Sequence, residues 1–208
     1  MQTPSNTTAP QQKKYFLQTF QKGCLYQQSF GNESDFTIRS LDLQKDLDIL
    51  NSWVNMDYAI SFWQMDGSKE KLHQTYTNIL NAPDAHSFIG CINGRPVCQL
   101  DAYNPLADVV GTLYDCRPGD LGIHLLLTPE KIKISNFSAR IVESFCNWFF
   151  TAYPVSRIIA EPDIRNRAAN LLLRKLNFTF SGIIKMPEKT AGLYMLEKHH
   201  WSQKYSLL

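Results

Sequence analysis

The chain has 208 residues, 44% of them hydrophobic, which suits one domain with a sizeable core. Its 21 Lys and Arg against 19 Asp and Glu leave a formal charge of +2, which gives no reason to expect nucleic acid as a partner. No run approaches the ~20 apolar residues of a membrane span, and nothing near the start resembles a signal peptide. The five scattered cysteines form no metal-ligand cluster, so a reducing cytoplasm is the expected setting.

Residues 1–12 are polar and carry too little apolar surface to offset the entropy of ordering them. "KKYFLQTF" reads as an edge strand or an arm on the domain. Residues 1–35 are accordingly taken as an N-terminal tail and arm, and residues 36–208 as the single domain. Phe36 to Leu41 reads as a strand, followed by a helix whose Leu43, Leu47, Leu50 and Val54 recur at helical spacing behind Asp42 as N-cap. A second helix spans about Lys69 to Leu80 and stops before Pro83. "HSFIGCI" and "PVCQLDAYN" flank Asn93-Gly94, a strong hairpin signal because both residues tolerate a left-handed backbone.

"GDLGIHLLL" is a further strand, "SNFSARIVESFCNWFFTA" an amphipathic helix, "SRIIA" a short buried strand and "NRAANLLLRKLNF" another helix. The stretch "NFTFSGIIKMPEKTAGLYMLEKHHW" reads as two strands around a turn. Hairpins mixed with helical crossovers predict a mixed sheet with helices packed on it. No nucleophile elbow, Walker loop or Rossmann fingerprint is present. His73, His86, His199 and His200 make no ligand pattern, so no metal is predicted.

Two residues in this pattern carry possible chemistry. His124 interrupts an apolar strand; alone it reads as a packed imidazole bonded to backbone carbonyls. Asp163 follows "RIIAEP" near a helix start, where Asp163 or Asn166 can cap the helix with Glu161 and Arg165 solvated around it. Alternatively, His124 and Asp163 meet across a cleft as a proton-handling pair at the ends of neighbouring strands. Trp53, Phe62, Trp63 and Met65 cluster between the first two helices, either as core or as the lining of a substrate site. Trp63 and Tyr103 are the pocket candidates.

Five stretches, "SWVNMDYAISFW", "HSFIGCINGRPVCQLDAYNPLAD", "GDLGIHLLL", "RIIAEPDIRNRAANLLLRKLNF" and "IIKMPEKTAGLYMLEKHHW", together resemble the siderophore-biosynthesis acyltransferases of the GNAT (Gcn5-related N-acetyltransferase) superfamily, the aerobactin and mycobactin type. The resemblance covers about residues 36–201. It implies an α/β (α+β) fold with a mixed, mostly antiparallel central sheet flanked by helices, its fourth and fifth strands splayed to take an acyl-CoA. The implied reaction is transfer from acetyl-CoA or another acyl-CoA to the hydroxylamine nitrogen of an N-hydroxylated lysine or diamine, giving a hydroxamate. By the same likeness Asp163 is the proton acceptor and His124 orients the substrate or relays the proton. Backbone N–H groups around Leu125, Leu126 and Leu127 face the coenzyme, and Asn166 joins the cofactor-binding set.

One departure concerns the pyrophosphate. Most GNAT enzymes cradle it with a glycine-rich loop, whereas "PEKIKISNFSARI" has no glycine. Lys131, Lys133, Ser135 and Ser138, with helix N–H groups nearby, can take that role, or the lysines are simply solvated. The likeness also implies an amine monooxygenase and a siderophore synthetase as functional neighbours. The competing expectations are an acetyltransferase for an ordinary amine, such as an aminoglycoside or polyamine, and a GNAT-shaped module without catalysis.

Overall fold

A computed structural model describes residues 23–31, 34–128 and 133–205 of the chain. Its strands are β1 (Cys24–Ser29), β2 (Asp35–Ser40), β3 (Ala85–Ile92), β4 (Arg95–Tyr103), β5 (Asp120–Leu127), β6 (Arg157–Ala160), β7 (Thr179–Lys185) and β8 (Thr190–Glu197). The helices are α1 (Leu43–Val54), α2 (Asp57–Ile60), α3 (Lys69–Asn81), α4 (Phe137–Ala152), α5 (Arg167–Lys175) and α6 (Lys198–Tyr205). The strands make one sheet in the order β1-β2-β3-β4-β5-β6-β8-β7. Every neighbouring pair is antiparallel except β5 and β6. A parallel pair needs a long crossover, and α4 supplies it.

The expected loose tail and the "KKYFLQTF" strand lie outside the described residues. Within the stretch read as an arm, Cys24–Ser29 forms the edge strand β1, whose alternation is masked by exposed glutamines. Because β1 precedes the strand at Phe36, the fourth and fifth strands of the sequence reading are β5 and β6 here. The one-turn helix α2 has no counterpart in that reading. The final strand also stops earlier than expected: β8 ends at Glu197, and His199, His200 and Trp201 belong to α6. Lys198 N–H bonds the Ser156 carbonyl, and the Trp201 side chain is buried, so this last helix is docked on the domain.

Local chemistry explains the other elements. The Asp42 side chain caps α1 by accepting from Gln44 N–H, and buried Asp46 on the next turn takes both Nη atoms of Arg39 at 2.6 Å, tying α1 to β2. Asn93 and Gly94 have φ of 47° and 78°, the left-handed pair that a tight hairpin requires. One sheet face carries the larger core, in which Phe88, Leu100, Leu121 and Ile123 meet Phe145, Trp148 and Phe149 of α4. On the other face α1 and α3 bury Leu50, Trp53, Leu72 and Tyr76 with Ile89 and Leu126.

The parallel junction is short and strongly fixed at one end. Asp120 and Arg157 face each other across its first pair, with Nε–Oδ1 and Nη2–Oδ2 distances of 2.8 and 2.7 Å. Tyr114 donates to the same carboxylate. Pairing then runs through Leu121 and Ile158 and stops at Gly122 and Ile159. Beyond that point β5 continues to Leu127 along β4 alone, so the two parallel strands part.

Candidate active site

The opening between β5 and β6 places two side chains opposite one another. His124 stands two residues past the last parallel pair on β5, and Glu161 stands two residues past it on the other side, one residue beyond the end of β6. A period of two puts each on the same face as the last paired residue. Their side chains meet across the gap as an ion pair between Nε2 and Oε1. Glu161 is 2% exposed, whereas the His124 side chain is 43% exposed. The imidazole is thus the open member of the pair.

Glu161 has two further partners. Tyr103 donates its hydroxyl to Oε2 at 3.1 Å, and Lys189 from the β7–β8 turn brings Nζ to 3.5 Å from Oε1. Burial works against the Glu161 charge, but His124, Lys189 and the Tyr103 hydroxyl outweigh it and hold the carboxyl below its ordinary range. Burial likewise opposes a proton on His124, yet the charge and hydrogen bond of Glu161 win and raise the imidazole pKa. Gly122 makes this arrangement possible: a Cβ there would lie 2.1 Å from Cζ of Tyr103, whose ring packs on the bare backbone.

The sequence candidates fall into three groups. Trp63 and Tyr103 flank the imidazole, with ring centroids 6.4 and 5.1 Å from it, so these three come together. Asp163 turns elsewhere. Its segment runs beside the start of β8, bridging to Ala191, and its carboxylate is held by Arg165 through Nε and Nη2 as well as the backbone N–H. These Arg165 bonds keep the Asp163 carboxyl below its usual range. The carboxylate that touches His124 is Glu161. Far from being solvated as the capping alternative had it, Glu161 is buried; Arg165 is exposed, but bound to Asp163.

The third group is the coenzyme set. Leu126 is buried under α1 and α3, and Leu125 and Leu127 pack partly on the larger core, so only their backbone can face the opening. Tyr58 already donates to the Leu127 carbonyl at 2.8 Å. Asn166 caps α5 by accepting from Ala169 N–H. Lys131 lies outside the described residues. Lys133 and Ser135 are exposed ahead of α4, and Ser138 is half-buried in its first turn. Asn136 begins that helix with φ of 54° and no side-chain cap, and Lys175 donates to its Oδ1 at 2.8 Å.

Glu161 and Lys189 were not singled out from sequence as site residues. Glu161 ends the apolar run "RIIAE", a signal in principle, but the register that aligns it with His124 is a property of the folded sheet. Asp101, directly opposite His124 on β4, was read simply as part of a hairpin strand. It is 7% exposed, accepts from Gln99 Nε2, and burial pushes its carboxyl up to about 6.

Among the described residues, the mixed sheet opens at its one parallel pair, with an imidazole at the opening. The chain belongs to the acetyltransferase (GNAT) domain family, whose profile matches residues 42–186. It is an acyl-CoA-dependent N-acyltransferase with the acyl-CoA as co-substrate. The chain is 25% identical to the N-hydroxyputrescine acetyltransferase of Acinetobacter baumannii, over 84% of its own length and 81% of that protein's. It is 23% identical to the N(6)-hydroxylysine O-acetyltransferase of Escherichia coli over 82% of its length, but spans about half of that relative, 55%. The lysine N-acyltransferase MbtK of Mycobacterium sp. (strain MCS) is 22% identical, over 78% of this chain and 67% of that one. Among solved structures, an uncharacterized Bacillus halodurans protein superposes with a TM-score of 0.80 at 22% identity, covering 87% of this chain and 94% of that one. The aminoglycoside acetyltransferase AAC(6')-Ib with coenzyme A gives 0.73 at 20% identity, covering 82% and 99%. At these identities the structures speak for the fold alone. No helix among the described residues is long and apolar enough to cross a membrane.

Proposed function

We propose that the chain acylates the hydroxylamine nitrogen of an N-hydroxylated lysine or diamine, forming a hydroxamate for siderophore assembly. The relatives named for hydroxylated amines support this substrate class. The observation that carries the mechanism is the half-open His124 imidazole held by buried Glu161 where β5 and β6 part. The acyl-CoA would lie along the unpaired edge of β5 at Leu125 to Leu127. Its pyrophosphate would meet the first turn of α4 near Lys133, Ser135 and Ser138, with Lys131 in the preceding segment; helix N-termini favour such anions. The functional unit is the domain proposed over residues 36–208 together with its edge strand β1, working in the cytoplasm beside an amine monooxygenase and a siderophore synthetase.

In this mechanism His124 takes the proton. A hydroxylamine nitrogen is unprotonated near neutral pH and attacks the thioester carbon as the C–N bond forms and the C–S bond breaks. Its proton passes to Nδ1 of neutral His124, the ring nitrogen that Glu161 leaves free, while Nε2–H stays bonded to Glu161, which stabilises the resulting imidazolium; the departing thiolate later takes up a proton. Well-placed acid–base groups contribute about 10²–10⁴-fold. Asp163 is the weaker base because Arg165 lowers its pKa. Its role is to shape the site beside the start of α5.

The test is acyl transfer from acetyl-CoA and succinyl-CoA to N-hydroxylysine, N-hydroxycadaverine, lysine and cadaverine, followed by CoA release and by the colour of the iron(III) hydroxamate. A hydroxylated amine is expected to exceed its parent by at least about tenfold in kcat/KM. Preference for the parent amines would overturn the hydroxamate reading.

A further inference from the structure

Asp101 lies beside the proposed proton acceptor yet plays no part in the mechanism above. Its hydrogen-bond partners are neutral: Gln99 Nε2 donates to Oδ1, and Ser87 stands opposite on β3 and also bonds the carboxylate. The nearby positive charge is on His124, which Glu161 already engages. A buried carboxylate without its own cation is costly.

The surroundings share this incompleteness. Gln99 Oε1 is buried without a hydrogen-bond partner among the described residues, and the buried Tyr76 hydroxyl and Trp63 Nε1 lie against each other. Tyr76 and Gln99 are each 0% exposed, and the Tyr76 phenol is close enough to Asp101 for that charge to raise its pKa. The Trp63 and His124 rings meet nearly at right angles, so an aromatic wall, a carboxylate and an unpaired amide oxygen lie around the open imidazole. A carboxylate beside an aromatic ring is the combination that holds an alkylammonium group.

We propose that Asp101 and Trp63 bind a second, cationic group of the acceptor, an ammonium remote from the nitrogen that is acylated. This rests on N-acyl transfer at His124 to a lysine- or diamine-type acceptor and assigns the residues that read its second ammonium. Asp101 is then a specificity-determining residue. An ammonium supplies the missing countercharge and three donors, which the carboxylate and Gln99 Oε1 can accept.

The experiment compares acceptors that differ only in the second ammonium. With acetyl-CoA, kcat/KM is measured for N-hydroxycadaverine against N-pentylhydroxylamine, and for cadaverine against pentylamine, in wild type, Asp101→Asn and Trp63→Leu. Wild type is expected to prefer the ammonium-bearing member at least tenfold. That ratio should fall below threefold in Asp101→Asn, through KM more than kcat, and drop at least threefold in Trp63→Leu, which leaves the carboxylate in place should Asp101→Asn fail to fold. Equal use of both members by wild type, or an unchanged ratio in the variants, overturns the proposal. Turnover confined to the unhydroxylated pair would defeat the hydroxamate reading, while the ratio in that pair would still decide the role of Asp101.

Discussion

His124 and Glu161 show how one buried contact sets the chemistry of an exposed group. Glu161 raises the imidazole pKa above its ordinary 6.5, so the ion pair stabilises the fold fully below 6.5 and fades as pH rises through the folded value. The carboxyl is held below its ordinary 4.5, so its share is present above 4.5 and fades as pH falls through the folded value. Glu161→Gln should therefore lower the melting temperature most between about pH 5 and pH 6, and by less as pH rises through the folded His124 value. Thermal melts across that range check this; a constant difference would contradict the assigned ion pair. The acid limb of kcat/KM should also move to lower pH in Glu161→Gln, because the imidazole loses the charge that favoured its proton.

At the scale of elements, the opening depends on a glycine and a helix cap. Gly122→Ala would drive a methyl group into the Tyr103 ring and push its hydroxyl off Glu161. Overpacking of this kind costs roughly 1–3 kcal/mol, and urea denaturation should show it together with reduced kcat. An unchanged midpoint would mean that Tyr103 moves freely. Asn166→Ala should cost about 1 kcal/mol through loss of the α5 cap, with acyl-CoA binding shifted less than stability. Most elements were legible in the sequence because periodicity and turn chemistry are local: the Asp42 cap, the Asn93-Gly94 hairpin and the long α4 are examples. β1 was not, because an edge strand with exposed glutamines lacks clear alternation, and neither was α2, a single turn in an aromatic stretch.

The whole molecule is organised around the parallel junction that α4 closes. His124 was legible as an imidazole in an apolar strand, but its partner was not, since sequence order favours no particular carboxylate among Glu161 and Asp163. Only the register between strands 37 residues apart in the chain selects Glu161. That register is fixed by Asp120 and Arg157, 1% and 5% exposed. Arg157→Ala would leave a buried carboxylate unpaired at about 3–5 kcal/mol, enough to threaten folding. Chemical denaturation should show that loss near neutral pH. Asp120 is held below its ordinary 3.8, so its contribution is present above 3.8 and is lost only as pH falls through the lower folded value.

The most direct measurement is kcat for acyl transfer in His124→Ala, Glu161→Gln and Asp163→Asn, each first shown to be folded and to bind acyl-CoA. The predicted result is a loss of at least about tenfold in the first two, with a smaller loss in Asp163→Asn. Near-normal turnover in His124→Ala, or a larger loss in Asp163→Asn than in His124→Ala, would contradict His124 as the proton acceptor.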